Sequence, residues 1–209
     1  MTGTLCVFYE NGKIEYIVPY KNGEIEGMYQ AYYKSGKIKE ETPSKNGKLE
    51  GIRKGYYENG NLECEYSYRD SKKEGNTKHY YASGKLKAVI PYKNNKTDGI
   101  GKEYYESGKL MGEFSYKNDK VEGLWKSYYE NGKIKSEIPY VNDVRDGTVK
   151  LYHVNGQLKS EVTYINGMKE GYYSSYRDSG ALWGKILYKN NEVISGVCGA
   201  GRAFTADDL

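Results

Sequence analysis

Proline, phenylalanine, histidine and cysteine are all scarce in this chain: 4, 3, 2 and 3 residues out of 209. Each shortage excludes something. The three cysteines, Cys6, Cys64 and Cys198, lie far apart and without paired spacing, which argues against a disulfide framework and against a zinc site. The two histidines, His79 and His153, have no Cys or Asp at a motif spacing. Both read as structural substitutions within a repeating pattern, not as catalytic or metal-binding groups. No run approaches the roughly 20 apolar residues of a membrane-spanning helix. Met1-Thr2-Gly3-Thr4-Leu5 has neither a basic start nor an apolar stretch, so the expectation is a cytoplasmic protein. Valine, isoleucine and leucine are too few for a thick two-layer core.

What the chain has instead is 25 tyrosines and 26 glycines. So many aromatics offer too much area to leave in water, which excludes a disordered chain. The net charge of +4 comes from 32 bases and 28 acids. The two signs are interleaved, so lysines that would hold phosphates alternate with glutamates that would repel them. Nucleic acid is therefore not an expected partner. Carboxylates recur in every unit, whereas a catalytic pair should be singular; they read as solvated strand faces. No glycine cluster opens a helix as a phosphate loop does, and no cofactor is expected.

The chain is periodic. Gly12, Gly36, Gly60, Gly84, Gly108, Gly132, Gly156 and Gly180 are each 24 residues apart, and so are Gly27, Gly51, Gly75, Gly99, Gly123, Gly147 and Gly171. A period kept without insertion means one piece of backbone repeated. The boundaries are a lead-in at 1–7, eight repeats at 8–195 and a non-repeating tail at 196–209. Asn-Gly and Ser-Gly between alternating residues are hairpin signals. Each repeat carries two such sites, as at Asn11-Gly12 and Asn22-Gly23, and two strands with two tight turns use up its 24 residues. The expected fold is all-β: an elongated single-layer antiparallel β-meander solenoid of eight 24-residue hairpin repeats.

A two-residue turn at Ser35-Gly36 would set Tyr33 opposite Ile38. One side of the sheet then holds Tyr33, Ala31, Tyr29 and Gly27 against Ile38, Glu40, Thr42 and Ser44. The other side holds Lys54–Glu65, Lys102–Glu113, Lys126–Glu137 and Lys150–Glu161, four opposite-charge pairs from one register. The first side is expected to be packed, with Ile14, Ile38, Leu62, Leu86, Leu110, Ile134, Leu158 and Leu182 as its aliphatic row. The Gly27-type glycines would let a neighbouring tyrosine lie across the strand, and Cys64 would fill a small packed position. The charged side carries its own tyrosine row, from Tyr32 to Tyr176 at the same interval.

The units Tyr-Tyr-Glu-Asn-Gly-Lys-Ile and Pro-Tyr-x-Asn-(Gly/Asp)-x-x-x-Gly, as at 128–147, resemble the MORN repeat in its bacterial variant form. The Tyr-x-Gly-x-Trp core of the eukaryotic-type repeat is absent. The resemblance implies a non-enzymatic β scaffold. It brings two functional expectations: a protein-binding scaffold, as the antitoxin- or immunity-type partner of an effector, or alternatively a scaffold associated with membrane lipid. The expected partner is thus another protein (toxin, effector, protease or modifying enzyme), with anionic lipid as the alternative and self-association through the solenoid ends a further option.

Candidate contact residues come from where the repeat breaks. Cys6 and Ile17 stand where later repeats place a Lys–Glu pair, so the first hairpin presents an apolar pair. In the last repeat Trp183 replaces the usual Lys or Glu and Leu187 the usual Pro, Ser or Thr. With Tyr172 and Tyr176 they make an apolar patch on the charged side. The tail adds Cys198, Phe204 and Leu209, either as a cap with Phe204 over Trp183 or as a segment offered to a partner.

Overall fold

A computed structural model describes residues 2–197 and 203–205, without the side chain of Phe204. Among the described residues there is no helix. The chain divides into two compact units, Met1–Gly108 and Lys109–Leu209. Each is a meander in which every long strand pairs antiparallel with the one before it. In the first unit Gly27–Tyr32 pairs with Ile14–Lys21 and Ile38–Lys45, then Gly51–Tyr56 and Leu62–Arg69 continue the series. In the second, Gly123–Tyr128 and Ile134–Val141 lead through Leu158–Ile165 and Met168–Tyr176 to Leu182–Lys189 and Glu192–Val197.

The two turn sites differ. At Asn22-Gly23 both residues have positive φ, 54° and 88°, and Lys21 faces Glu24, the two-residue type I′ turn that the dipeptide predicts. At Tyr33–Lys37 the expectation fails. Gly36 alone has positive φ, 90°; its N–H donates to the Tyr33 carbonyl and the Tyr33 N–H to that of Lys37. This is a three-residue loop, a type I turn closed by a left-handed glycine. The Asn of Asn-Gly here serves another purpose. Asn59 accepts from the Asn61 N–H through Oδ1 and donates through Nδ2 to the Ala82 carbonyl in the next repeat's loop, at 2.9 and 2.7 Å.

The loop changes which residues share a side. Away from it the register is the expected one: Tyr29 faces Thr42, Lys54 faces Glu65, Lys126 faces Glu137 and Lys150 faces Glu161. Next to it the register slips by one, so Ile38 faces Tyr32 and Leu62 faces Tyr56. A one-residue slip moves a side chain to the other face. The aliphatic row therefore sits with the tyrosine row on the charged side, and not on the packed side.

The Gly27-type glycines also have a different cause from the one expected. They are bulges with positive φ, 115° at Gly27 and 114° at Gly147, and they break the expected eleven-residue arms into two- and six-residue strands such as Glu24–Ile25 and Gly27–Tyr32. The residue over Gly27 is Pro19, whose Cγ lies 3.2 Å from where a Cβ would stand; it is not a tyrosine. Proline has no N–H for the ladder. Its carbonyl accepts from the Glu26 N–H at 3.1 Å, and the same bond recurs from Glu74 to Ser67 and from Glu122 to Ser115, so the bulge accommodates proline without depending on it.

The packed side is lined along its centre by cross-strand pairs of which Val18, Thr42, Thr77, Phe114, Val149 and Val162 are buried. A single layer reaches this burial because rings lean over it. Phe114 meets Trp125 edge-on at 5.3 Å, and Tyr66 meets His79 the same way at 5.6 Å. Cys64 and Ala88 are buried small residues beside this line, as the repeat column implied.

Neighbouring repeats are stapled at both ends of their strands. At the three-residue loops, Tyr9, Tyr33, Tyr57, Tyr81 and Tyr129 each donate a hydroxyl to the carbonyl 23 residues on, at 2.5–2.8 Å. His153 takes the same place, its Nε2 2.9 Å from the Tyr176 carbonyl. A carbonyl can only accept, so Nε2 carries the proton. At the other end Glu26, Glu50, Glu74, Glu122 and Glu170 accept from the N–H of the left-handed turn residue 20 positions on, at 2.5–2.9 Å. Tyr57→Phe should therefore lower stability by about 1 kcal/mol, with faster hydrogen exchange at Gly84 in the loop it holds. Unchanged exchange there would show the hydroxyl to be redundant.

Candidate functional site in the last repeat

On the charged side three rows run across the strands. The middle row begins at the neutral Gln30 and then alternates in sign through Glu41, Lys54, Glu65 and Lys78 in the first unit, and through Glu113, Lys126, Glu137, Lys150 and Glu161 in the second. Its carboxylates are bound mainly by tyrosine. Tyr56 donates to Glu41, Tyr80 to Glu65 and Tyr152 to Glu137, each at 2.7 Å, while Lys78 approaches Glu65 at 3.7 Å. Burial, and then the carboxylate partner, push these three phenols up to about 12. The row toward the three-residue loops pairs Tyr with Ile or Leu. The row toward the other turns exposes apolar residues, Met28, Ile52 and Ile100 in the first unit and Leu124 and Tyr172 in the second, interrupted by Asn76 and Thr148. The pattern was missed in the sequence because its members share no single residue type.

The last repeat departs from all three rows at once. Lys185 stands where Glu41, Glu65, Glu113, Glu137 and Glu161 stand, and Ser174 where the lysines stand. Earlier loops rest a lysine on a tyrosine, as Lys39 on Tyr33, Lys87 on Tyr81 and Lys135 on Tyr129, at 5.7–5.9 Å. In the last repeat cation and ring have changed places: Arg177 stacks on the Trp183 indole at 3.9 Å. Tyr172, Leu182, Trp183, Lys185, Val197 and Ala203 surround an open concavity of about 660 Å³. Its rings stay accessible, Tyr172 at 58% and Trp183 at 50%.

The structure thus brings together two of the candidates, Tyr172 and Trp183. It adds Leu182, which the assumed turn had put on the opposite side, and Lys185, whose charge reversal is visible only against its column. Tyr176 is engaged elsewhere, donating to Glu161 at 3.2 Å, and Leu187 faces Tyr172. Residues Ala203–Thr205 return antiparallel along Glu192–Val197. Cys198, Leu209 and the side chain of Phe204 lie outside the described residues, and with them the question of what Phe204 covers. At the other end Cys6 and Ile17 face each other, as the register requires, with Cys6 exposed.

Elsewhere the chemistry is structural. Among the described residues no three His, Cys, Asp or Glu side chains gather as metal ligands. Cys64 and His79 are neighbours across strands. Burial raises the thiol and lowers the imidazole, which keeps both neutral. Glu40 forms a bidentate pair with Arg53 on the packed side, at 2.8 and 2.6 Å, a singular feature in a column otherwise mostly of small residues.

No curated protein sequence matches the chain. Among solved structures, the crystal structure of TarM aligns at 10% identity and a TM-score of 0.27, over 52% of this chain and 19% of that one. A likeness at that level bears on neither fold nor function. The family model described as MORN repeat variant matches residues 1–22, 25–46, 49–70, 73–94, 97–118, 121–142, 145–166 and 169–190. It frames the same 24-residue interval from a different starting point. Eight consecutive matches across most of the chain place this protein in the MORN repeat family, as a member built of the variant repeat.

Proposed function

We propose that this chain is a non-enzymatic protein-binding scaffold whose contact surface is the concavity of the last repeat, in the manner of an immunity-type partner that engages an effector in the cytoplasm. One observation carries the reading: a concavity that combines exposed Trp and Tyr rings with an apolar floor lies where the repeat pattern is broken. Trp and Tyr are the residues that most often anchor protein contacts. MORN repeats are in general protein- or membrane-binding scaffold repeats. The alternating Lys–Glu row weighs against an anionic membrane, since opposite charges within a Debye length of about 10 Å cancel at its surface.

The test is affinity capture from native cells with wild type beside a Tyr172→Lys, Trp183→Lys double variant. A partner held by wild type and lost by the variant supports the proposal. Equal capture by both moves the contact elsewhere, and salt-sensitive flotation with anionic vesicles replaces the protein partner with lipid.

A further inference from the structure

We propose that the concavity recognises an acidic peptide segment of its partner, with a carboxylate on Lys185 and an apolar or aromatic neighbour against Trp183 and Tyr172. The assignment rests on the protein-binding reading and gives it a chemistry.

The argument begins with the middle row. Glu65 faces Lys54 on one side and Lys78 on the other, and Glu137 faces Lys126 and Lys150. Each charge in this row meets an opposite charge on at least one neighbouring strand, as Lys78 does at Glu65 and Glu161 at Lys150, although their other neighbours are Val89 and Ser174. Lys185 breaks the rule, because it faces Ser174 and Val197. Its ammonium has no carboxylate opposite it on either strand, and lies 5.5 Å from the Tyr172 ring. Among the described residues, none lining the concavity is acidic, while Arg177 adds a second cation against the Trp183 indole. The site therefore offers positive charge beside apolar surface, the complement of a segment that mixes Asp or Glu with Leu or Phe. Size and openness favour a peptide over a free small carboxylate. A space of about 660 Å³ takes several side chains, and small-molecule sites usually enclose most of their ligand, whereas here both rings remain half open to water.

The test uses fluorescence anisotropy with two fluorescein-labelled probes, a peptide alternating Glu with Phe and Leu, and its counterpart with Lys for every Glu. Wild type should bind the acidic probe, less tightly as salt is added, and not the basic one. Lys185→Glu should weaken binding about tenfold, since it sets like charges together. Trp183→Lys should also weaken it. Both variants install residue types that earlier repeats already carry in those columns, so their thermal transitions should match wild type and loss of binding cannot be ascribed to unfolding. Equal binding of the two probes, or undiminished binding of the acidic probe by Lys185→Glu, would overturn the assignment. So would 3-phenylpropionate saturating the site while the acidic peptide fails to compete. A partner captured through Trp183 by a chain that ignores the acidic probe would overturn this inference and leave the scaffold standing.

Discussion

Gly147→Ala should destabilise the second unit by about 3 kcal/mol, and Gly132→Ala by only about 1 kcal/mol. The two glycines are conspicuous in the sequence for the same reason, since each recurs every 24 residues. Their environments differ. Gly132 has φ 84° and open space where a Cβ would stand, so alanine there meets only the backbone penalty of a left-handed residue. Gly147 has φ 114°, and a Cβ would come within 2.9 Å of Pro139 Cγ. Alanine then adds a clash with a ring that cannot rotate away. Pro139→Ala in the same chain should restore the part due to the clash and leave the part due to φ, so a double-mutant cycle separates the two. Because a repeat protein contacts mainly its neighbours, damage should concentrate around 123–165 in hydrogen exchange before any global transition moves. If Gly147→Ala and Gly132→Ala proved equally costly, Pro139 would have no part in fixing the bulge.

That comparison also marks where the sequence stops being legible. The period, the all-β class and the Lys54–Glu65 register could be read from it, because side chains alternate strictly along a strand and opposite charges report the pairing. The bulge could not. The Gly27 series reads as room for a ring across a continuous strand, and a proline in four of the eight repeats does not by itself announce which bond it forgoes. Asn59 misled for a related reason. Asn before Gly predicts positive φ, but this amide bridges to the next loop, a contact between repeats that no local propensity encodes. The wrong loop then carried Leu182 to the wrong face. Trp183 and Tyr172 were found because aromatics stand out where charges recur. Lys185 was not, since one more lysine in a lysine-rich chain is conspicuous only beside the glutamates of its own column. Glu40 escaped in the same way, as one carboxylate among many.

Glu40→Ala should cost about 2–3 kcal/mol, the other large effect expected in this fold. The pair with Arg53 is less than a third exposed on either side chain, 25% and 31%. Removing the carboxylate leaves a guanidinium in a half-buried place with its fork unfilled, against the Tyr66 ring at 5.4 Å. Replacing both partners, Glu40→Leu with Arg53→Met, should recover most of the loss, because the desolvation cost of both charges disappears with the pair. The pH dependence has a definite sign. The Arg53 hydrogen bonds hold Glu40 below its usual value of 4.5, with a smaller contribution from Thr42. A carboxylate whose folded pKa is depressed contributes stability that is complete above the unfolded pKa and disappears as pH falls through the folded one. Wild type should therefore exceed Glu40→Gln in stability at pH 7, and the gap should shrink as the solution is taken below about pH 4.5. A gap constant down to about pH 2 would mean that the charge on Glu40 does not hold Arg53 in place, and that the packing of the two side chains does.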